Sequence, residues 1–208
     1  MSNRVIPSWA YVPWSLAIAA LIVIMARRSV SLVEMGFTEW RRGIAWGGVL
    51  FVLTVAALAL GVVMPVFWEM YHDRRVSGAT ATWLYHAFVR IPFGTALLEE
   101  TAFRAVLPAL LALRWGVLRG CVGASLCFGV WHVLPAFGLT EVNPVAGRIF
   151  GAGTVGVIAA VLFAVVGTAV AGLWWCWIRY RARSVLATMI AHSATNSVAY
   201  TIAWIVAH

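Results

Sequence analysis

The sequence predicts an all-α polytopic integral membrane protein, a bundle of about six transmembrane helices. Of its 208 residues, 63% are hydrophobic and 11% are charged, and its mean hydropathy is +0.92. A soluble globular domain carries about 25% charged residues. Apolar runs long enough to cross a bilayer recur along the chain. We therefore expect a single membrane domain, most of it within the lipid.

Six apolar runs define the predicted spans in chain order. They cover residues 9–26, 43–68, 81–113, 121–137, 153–178 and 184–207. The first run ends at Arg27 and Arg28 and is long enough to span, so we interpret it as a membrane helix and not as a signal peptide. The third run would be about 50 Å long as one helix. That is too long for a simple span, and Pro92 and Gly94 predict a kink or break within it.

The positive charge of the chain predicts its orientation in the membrane. All 15 basic residues are arginine and the net charge is +8. The loops after spans one, three and five hold nine of them: Arg27, Arg28, Arg41, Arg42, Arg114, Arg119, Arg179, Arg181 and Arg183. The opposite side holds four: Arg4, Arg74, Arg75 and Arg148. The positive-inside rule places the nine-arginine side in the cytoplasm and both termini outside. Charge clustered in this way indicates the lipid bilayer as partner and no nucleic acid, and we expect a multi-pass protein of a bacterial cell membrane.

Three charged residues, Glu99, Glu100 and Arg104, interrupt the third apolar run. Placing one charged residue at mid-membrane depth costs roughly 2.5–3.5 kcal/mol. We therefore expect these three residues to have a function. Glu100 and Arg104 are four residues apart and share a helical face, so we expect Glu100 to stay ionised beside the arginine and to act structurally. Glu99 points about 100° away, beside a like charge and in low dielectric. Both conditions make its carboxylate a stronger base, which suits a general base near neutral pH.

Two later runs carry polar pairs spaced by four residues, Phe128 with His132 and His192 with Asn196. Counted from the ends of their helices, the three polar motifs lie at similar depth, roughly 14–21 Å from the same predicted side. A water molecule held between Glu99 and His132 could be deprotonated to attack a peptide carbonyl. His192 and Asn196 could donate hydrogen bonds to the resulting oxyanion. The sequence thus predicts one hydrolytic site assembled from three helices.

In order and spacing, these residues resemble the three signature motifs of the CPBP family, also called the Abi family, which includes type II CAAX-prenyl endopeptidases and bacteriocin-processing or immunity proteins. The resemblance implies an intramembrane endopeptidase of the glutamate type with four catalytic residues, Glu99, His132, His192 and Asn196. It implies supporting roles for Glu100, Arg104 and Phe128. The resemblance covers about residues 81–207, predicted as a catalytic core of about four membrane helices. Residues 1–80, predicted as two N-terminal membrane helices, lie outside it.

Two alternatives remain open from the sequence. Glu99, His132 and His192 are three residues of the kind that bind a catalytic zinc ion, although no His-Glu-x-x-His motif is present and the resemblance implies no metal or other cofactor. The same bundle could instead bind a peptide or partner helix as a non-catalytic immunity or scaffold protein. In the leading interpretation the substrate is a membrane-associated peptide or protein. Water and substrate are then expected to reach the four catalytic residues through a polar cavity that opens toward loops 114–120 and 179–183.

Overall fold

The computed structural model describes residues 7–73, 76, 78–151 and 153–208, which form helices joined by turns and loops. In the N-terminal part, α1 spans Tyr11–Ala26 and α3 spans Trp40–Val63. The loop between them holds the short helix α2, Leu32–Met35, which begins with a capping box formed by Ser31 and Glu34. A further single turn, α4 at Pro65–Trp68, follows α3.

The charged motif lies in a helix that is interrupted by two π-helical stretches. Chain order is α5 (Thr80–Tyr85), a first π-helix (His86–Ala96), α6 (Leu97–Glu100), a second π-helix (Thr101–Val106) and α7 (Leu107–Trp131). Pro92 lies within the first π-helix and does not end it. The wider turn of a π-helix accommodates the proline ring, so the break expected at this proline becomes a change of winding.

The chain reverses direction at Gly116, which has φ 76° and ψ 166° within α7. Only glycine adopts such a conformation without steric cost. Beyond the reversal, Gly120 packs so closely on Pro108 that a Cβ atom there would lie 2.8 Å from the proline carbonyl oxygen. The two arms on either side of Gly116 correspond to the predicted third and fourth spans.

The C-terminal part consists of three short helices followed by two long ones. The short helices are α8 (Val133–Ala136), α9 (Leu139–Val142) and α10 (Pro144–Phe150). The long helices are α11 (Gly153–Ala182) and α12 (Val185–Ala207). The most extensive packing joins α12 to α3 and α11 to α7.

Within the described residues, four segments are long and apolar enough to cross a membrane: Ser8–Ala26, Leu32–Val63, Thr80–Ala136 and Gly153–Ala182. The third of these, at 57 residues, includes both arms around Gly116. Helix α12 is not among the four, and it is also the helix that carries the polar third motif. Large apolar side chains such as Leu118, Phe163 and Val166 are exposed on the outer surface, as lipid contact requires. The protein is therefore an all-α polytopic membrane bundle, and the number of six spans stays a prediction.

Small residues allow the long helices to approach closely. A Cβ atom added at Gly43 would lie 2.5 Å from the Ser184 hydroxyl oxygen, and one at Gly47 would lie 2.8 Å from Ile190. These two glycines form a Gly-x-x-x-Gly pair on the face of α3 that packs on α12, an arrangement common between membrane helices. On the other side of the bundle, a Cβ atom at Gly129 of α7 would lie 2.6 Å from the Val165 carbonyl oxygen of α11.

The loops predicted to share the nine-arginine side lie together at one end of the bundle. The guanidinium of Arg42 donates to the carbonyl oxygen of Arg181 at 3.0 Å. The backbone N–H of Val185 donates to the carbonyl oxygen of Gly36 at 2.9 Å. On the opposite side, Arg4, Arg74 and Arg75 lie outside the described residues. Which end faces the cytoplasm stays a prediction.

Candidate active site

Glu99 and Glu100 lie at the end of α6, between the two π-helices, and both are buried, at 2% and 0% exposure. Glu100 Oε2 lies 3.5 Å from Nε of Arg104, the residue one turn further along. This is the i, i+4 pair that the spacing predicts. Irregular π winding often occurs at functional positions in helices, and here it flanks the acidic pair on both sides.

His192 of α12 lies against both glutamates. Its Nδ1 lies 2.8 Å from Glu100 Oε1, and its Nε2 lies 3.9 Å from Glu99 Oε2. Since an ionised carboxylate only accepts, Nδ1 is the atom that donates to Glu100. The pairing of Glu100 with His192 connects α6 to α12 and leaves Nε2 directed toward Glu99.

Arg104 is a fully buried cation at 0% exposure. In the part of the chain that the structure describes, its three guanidinium nitrogens make no hydrogen bond. Two contacts compensate its charge: the Glu100 carboxylate and the face of Phe128, whose ring centroid lies 3.8 Å from the Arg104 Cζ. A desolvated cation over an aromatic face gains about 2 kcal/mol or more. Phe128 therefore has an electrostatic role in addition to its packing.

His132 lies where α7 ends, and its imidazole packs on Phe128 with ring centroids 4.5 Å apart. The backbone N–H of His132 bonds to Gly129 and not to Phe128, which leaves the Phe128 carbonyl free at the helix end. His132 Nδ1 lies 2.8 Å from that carbonyl oxygen and donates to it. In the neutral imidazole this donation from Nδ1 determines the tautomer and places the lone pair of the half-buried histidine on Nε2.

Trp131 is a site residue that the sequence interpretation missed. Its indole Nε1 donates to Glu99 Oε1 at 3.0 Å, although the side chain as a whole is 42% exposed. The indole also packs against Phe103, with ring centroids 5.8 Å apart. The sequence feature that could have identified it is its position next to the motif histidine His132. The N–H of a buried indole usually requires a hydrogen-bond acceptor.

Asn196 follows His192 by one turn of α12 and is half-buried. Among the described residues its side chain makes no hydrogen bond. The structure thus brings Glu99, Glu100, Arg104, Phe128, His132 and His192 into one connected group. It places Asn196 on the same helix face as His192, and its predicted role stays a prediction.

The structure has a cavity near loops 114–120 and 179–183, where the predicted cavity was expected to open, but its lining differs from the prediction. A cavity of about 420 Å³ lies at the nine-arginine end, lined by residues of the α2–α3 loop, α7 and the end of α11. None of the four predicted catalytic residues lines it. Glu99 and His192 are instead buried, at 2% and 8% exposure.

Within the described residues, no group of three or more His, Cys, Asp or Glu side chains is arranged to hold a metal ion. Glu99 and His192 are neighbours, but Nδ1 of His192 is engaged by Glu100. The proposed zinc ligands therefore do not form a ready ligand set in this conformation.

A comparison with known protein families matches residues 81–198 to the family described as type II CAAX prenyl endopeptidase Rce1-like. The matched segment is more than half of the chain and contains all three motifs. No curated protein matches the chain. No solved structure matches it either.

Proposed function

The chain belongs to the type II CAAX prenyl endopeptidase Rce1-like family, a family of membrane proteases, and from this premise we propose that it is an intramembrane endopeptidase of the glutamate type. It hydrolyses a peptide bond in a membrane-associated protein or peptide, with Glu99, His132, His192 and Asn196 as catalytic residues. The observation that supports this most strongly is the position of His192, between Glu99 at 3.9 Å and Glu100 at 2.8 Å.

The charges of this cluster support a division of labour between the two glutamates. Two carboxylates and the guanidinium of Arg104 leave one negative charge in a buried site, where unbalanced charge is costly. One additional proton, shared between Glu99 and His192, neutralises the cluster. Glu100 contacts Arg104 and His192 and holds both in place. Glu99 and His192 can then exchange the shared proton.

Water is activated by Glu99 with the help of His132. The indole N–H of Trp131 donates to Glu99 Oε1, so Oε2 is the oxygen that accepts a proton from water. His132 presents the lone pair of Nε2, because Nδ1 is engaged by the Phe128 carbonyl. A water molecule that donates to these two acceptors directs its own oxygen at the scissile carbonyl, and general-base catalysis of this kind contributes about 10²- to 10⁴-fold in rate.

The oxyanion of the tetrahedral intermediate is stabilised by His192 and Asn196. His192 donates from Nε2 when it holds the shared proton, and Glu100 at Nδ1 supports that cationic form. The amide of Asn196 has its donors available, since no described residue accepts from them. The proton that Glu99 took from the water then passes to the leaving amine as the C–N bond breaks, which completes hydrolysis without a covalent intermediate.

The substrate has an apolar portion in this proposal. A cavity of about 500 Å³, lined almost entirely by apolar side chains, lies between α1 and the helix that carries the acidic motif, and it includes Leu97 and Thr101 on either side of the two glutamates. Such a cavity suits a hydrophobic or lipid-bearing segment next to the cleaved bond.

Comparative proteomics of membranes from cells with the wild-type protein and with Glu99→Ala tests the function directly. The expected result is a set of membrane-associated proteins that are cleaved only in the wild-type cells. If the two proteomes are the same while both proteins accumulate equally, the scaffold alternative is favoured.

Chelators distinguish the glutamate mechanism from the zinc alternative. We expect activity of the purified protein to be unchanged by a strong chelator and its zinc content to be well below one ion per chain. Loss of turnover on chelation, with recovery on adding zinc, would show that a zinc ion activates the attacking water in place of Glu99.

A further inference from the structure

The cavity at the nine-arginine end has features of a ligand site that the proposed hydrolysis does not use. Its volume is about 420 Å³, and it lies between the loop that holds Glu34 and Glu39, the middle of α7 and the end of α11. It is lined by no residue of the candidate active site. Charged side chains of both signs and an apolar wall share this space.

Arg179 is the buried cation of the cavity, with 3% exposure. It lines the cavity and donates from Nη2 to the carbonyl oxygen of Glu34. Its guanidinium lies over the ring of Tyr180, 4.2 Å from the centroid. Nε has no hydrogen-bond partner among the described residues. No carboxylate among the described residues pairs with this buried cation. Buried charge without a counter-charge is costly, and an anionic ligand in the cavity would supply the missing charge.

Arg183 is a second cation of the cavity and lies in a strained backbone conformation. Its φ is +55°, the one positive φ at a non-glycine residue of the described chain. It follows the last turn of α11, where glycine is the usual residue, and the left-handed conformation costs a non-glycine residue roughly 1–2 kcal/mol. An arginine thus stands where glycine would cost less, and its exposed side chain lines the cavity.

The opposite charge in the cavity comes from Glu39. Glu34 also lines it, but its carboxylate accepts from the backbone N–H and hydroxyl of Ser31, both at 2.7 Å. Glu39 is exposed, and no described residue pairs with its carboxylate. The cavity therefore offers two arginines for an anion and the exposed Glu39 carboxylate for a cation.

The remaining wall is apolar and is formed by Ala109, Ala112, Leu113 and Val117 of α7, next to the reversal at Gly116. A ligand with one anionic group, one cationic group and an adjoining apolar chain matches these three surfaces. We propose that the cavity is a binding site for an aminophospholipid of the surrounding bilayer, with its phosphate on Arg179 and Arg183 and its ammonium on Glu39.

Arg183→Gly is the informative variant, because it relieves the backbone strain while it removes a phosphate ligand. We expect thermal unfolding of the purified wild-type protein in detergent to shift upward when phosphatidylethanolamine is added. The glycine variant should start at an equal or higher midpoint and show about tenfold weaker lipid binding by native mass spectrometry, as expected for one lost charge-assisted contact. Arg181→Gln is the matched control, since Arg181 lies on the same helix end over Trp177 and does not line the cavity.

The head group is tested with a second variant and other lipids. Glu39→Gln should abolish the preference for phosphatidylethanolamine over phosphatidylglycerol and leave binding of the latter unchanged. The proposal is overturned if Arg183→Gly binds phosphatidylethanolamine as tightly as wild type. It is also overturned if phosphatidylglycerol binds the wild type equally well, or if water-soluble glycerophosphoethanolamine gives the same stabilisation as the lipid.

Discussion

At the residue scale, the two adjacent carboxylates differ in their partners. Glu99 accepts from Trp131 and faces Nε2 of His192, while Glu100 contacts Arg104 and Nδ1 of His192. In the proposed mechanism, these different neighbours make Glu99 the reacting group and Glu100 the group that holds its surroundings in position. Substitutions by glutamine remove a charge while they keep the shape of each side chain, so they measure the two roles separately.

Glu99→Gln should abolish hydrolysis with little change in folded yield, because an amide cannot accept the proton of water. We expect kcat to fall by about 10²- to 10⁴-fold, the usual contribution of a general base. Peptidase activity and yield in detergent are the measurements. Normal activity in this variant would remove Glu99 from the mechanism.

Glu100→Gln should mainly reduce the yield of folded protein. Arg104 loses its charge partner at 0% exposure, and breaking a buried pair costs about 3–5 kcal/mol. Size-exclusion chromatography of the two variants side by side gives the comparison. A normal yield with an activity loss as large as that of Glu99→Gln would contradict this assignment.

Trp131→Phe tests the indole as a positioning residue. The variant keeps the aromatic contact to Phe103 and loses the donor to Glu99 Oε1. Hydrogen bonds to charged groups contribute about 1.5–3 kcal/mol, so kcat should fall roughly 10- to 100-fold while KM stays near the wild-type value. An increase of KM alone would indicate that the indole contacts substrate instead.

At the scale of the helices, irregular winding and small residues decide how the motifs meet. The two π-helices flank α6 and set the direction in which its glutamates point. The Gly-x-x-x-Gly pair of α3 allows close approach of α12, which carries His192 and Asn196. A change in the α3–α12 distance should therefore alter activity as well as stability.

Gly47→Ala tests this packing, with Gly48→Ala as the matched control. The added methyl at Gly47 would lie 2.8–2.9 Å from Ile190 atoms, whereas nothing lies within 4 Å of a Cβ at Gly48. We expect Gly47→Ala to lose about 1–3 kcal/mol of stability from overpacking and to lose activity in parallel. Gly48→Ala should be neutral or stabilising. Thermal unfolding in detergent is the measurement, and equal midpoints for the two variants would contradict the packing argument.

At the scale of the whole molecule, the arginine-rich loops form one end of the bundle, and the active site lies deeper within it. His132 and Asn196 are the half-buried residues of the candidate site, and in the proposed mechanism water reaches the site past them. The positive-inside rule predicts that the arginine-rich end faces the cytoplasm.

Asn196→Cys should react with a small membrane-impermeant thiol reagent added from the cytoplasmic face. The experiment requires a background without Cys121, Cys127 and Cys176, of which Cys127 is exposed. Ser125→Cys is the control that should stay unlabelled, because Ser125 is buried at 2% exposure. Labelling from the opposite face alone would show that the orientation is inverted.

The sequence by itself determined the features that depend on composition and on spacing within one helix. Apolar runs indicated an all-α membrane bundle, and the i, i+4 spacing brought Glu100 to Arg104 and Phe128 to His132. These contacts follow from the helical repeat, which is the same in any protein. The order of the three motifs indicated the family that the comparison with family models then identified.

The tertiary structure alone decided which groups meet between helices. The bond of His192 to Glu100, the bond of Trp131 to Glu99 and the Arg104 guanidinium over Phe128 all depend on the rotation and crossing of separate helices. The spacing of residues within one helix contains no information on the rotation or the crossing of separate helices. For the same reason, the sequence could not predict the cavity at the arginine-rich end. Side chains of three distant segments come together there, and none of the predicted catalytic residues lines it.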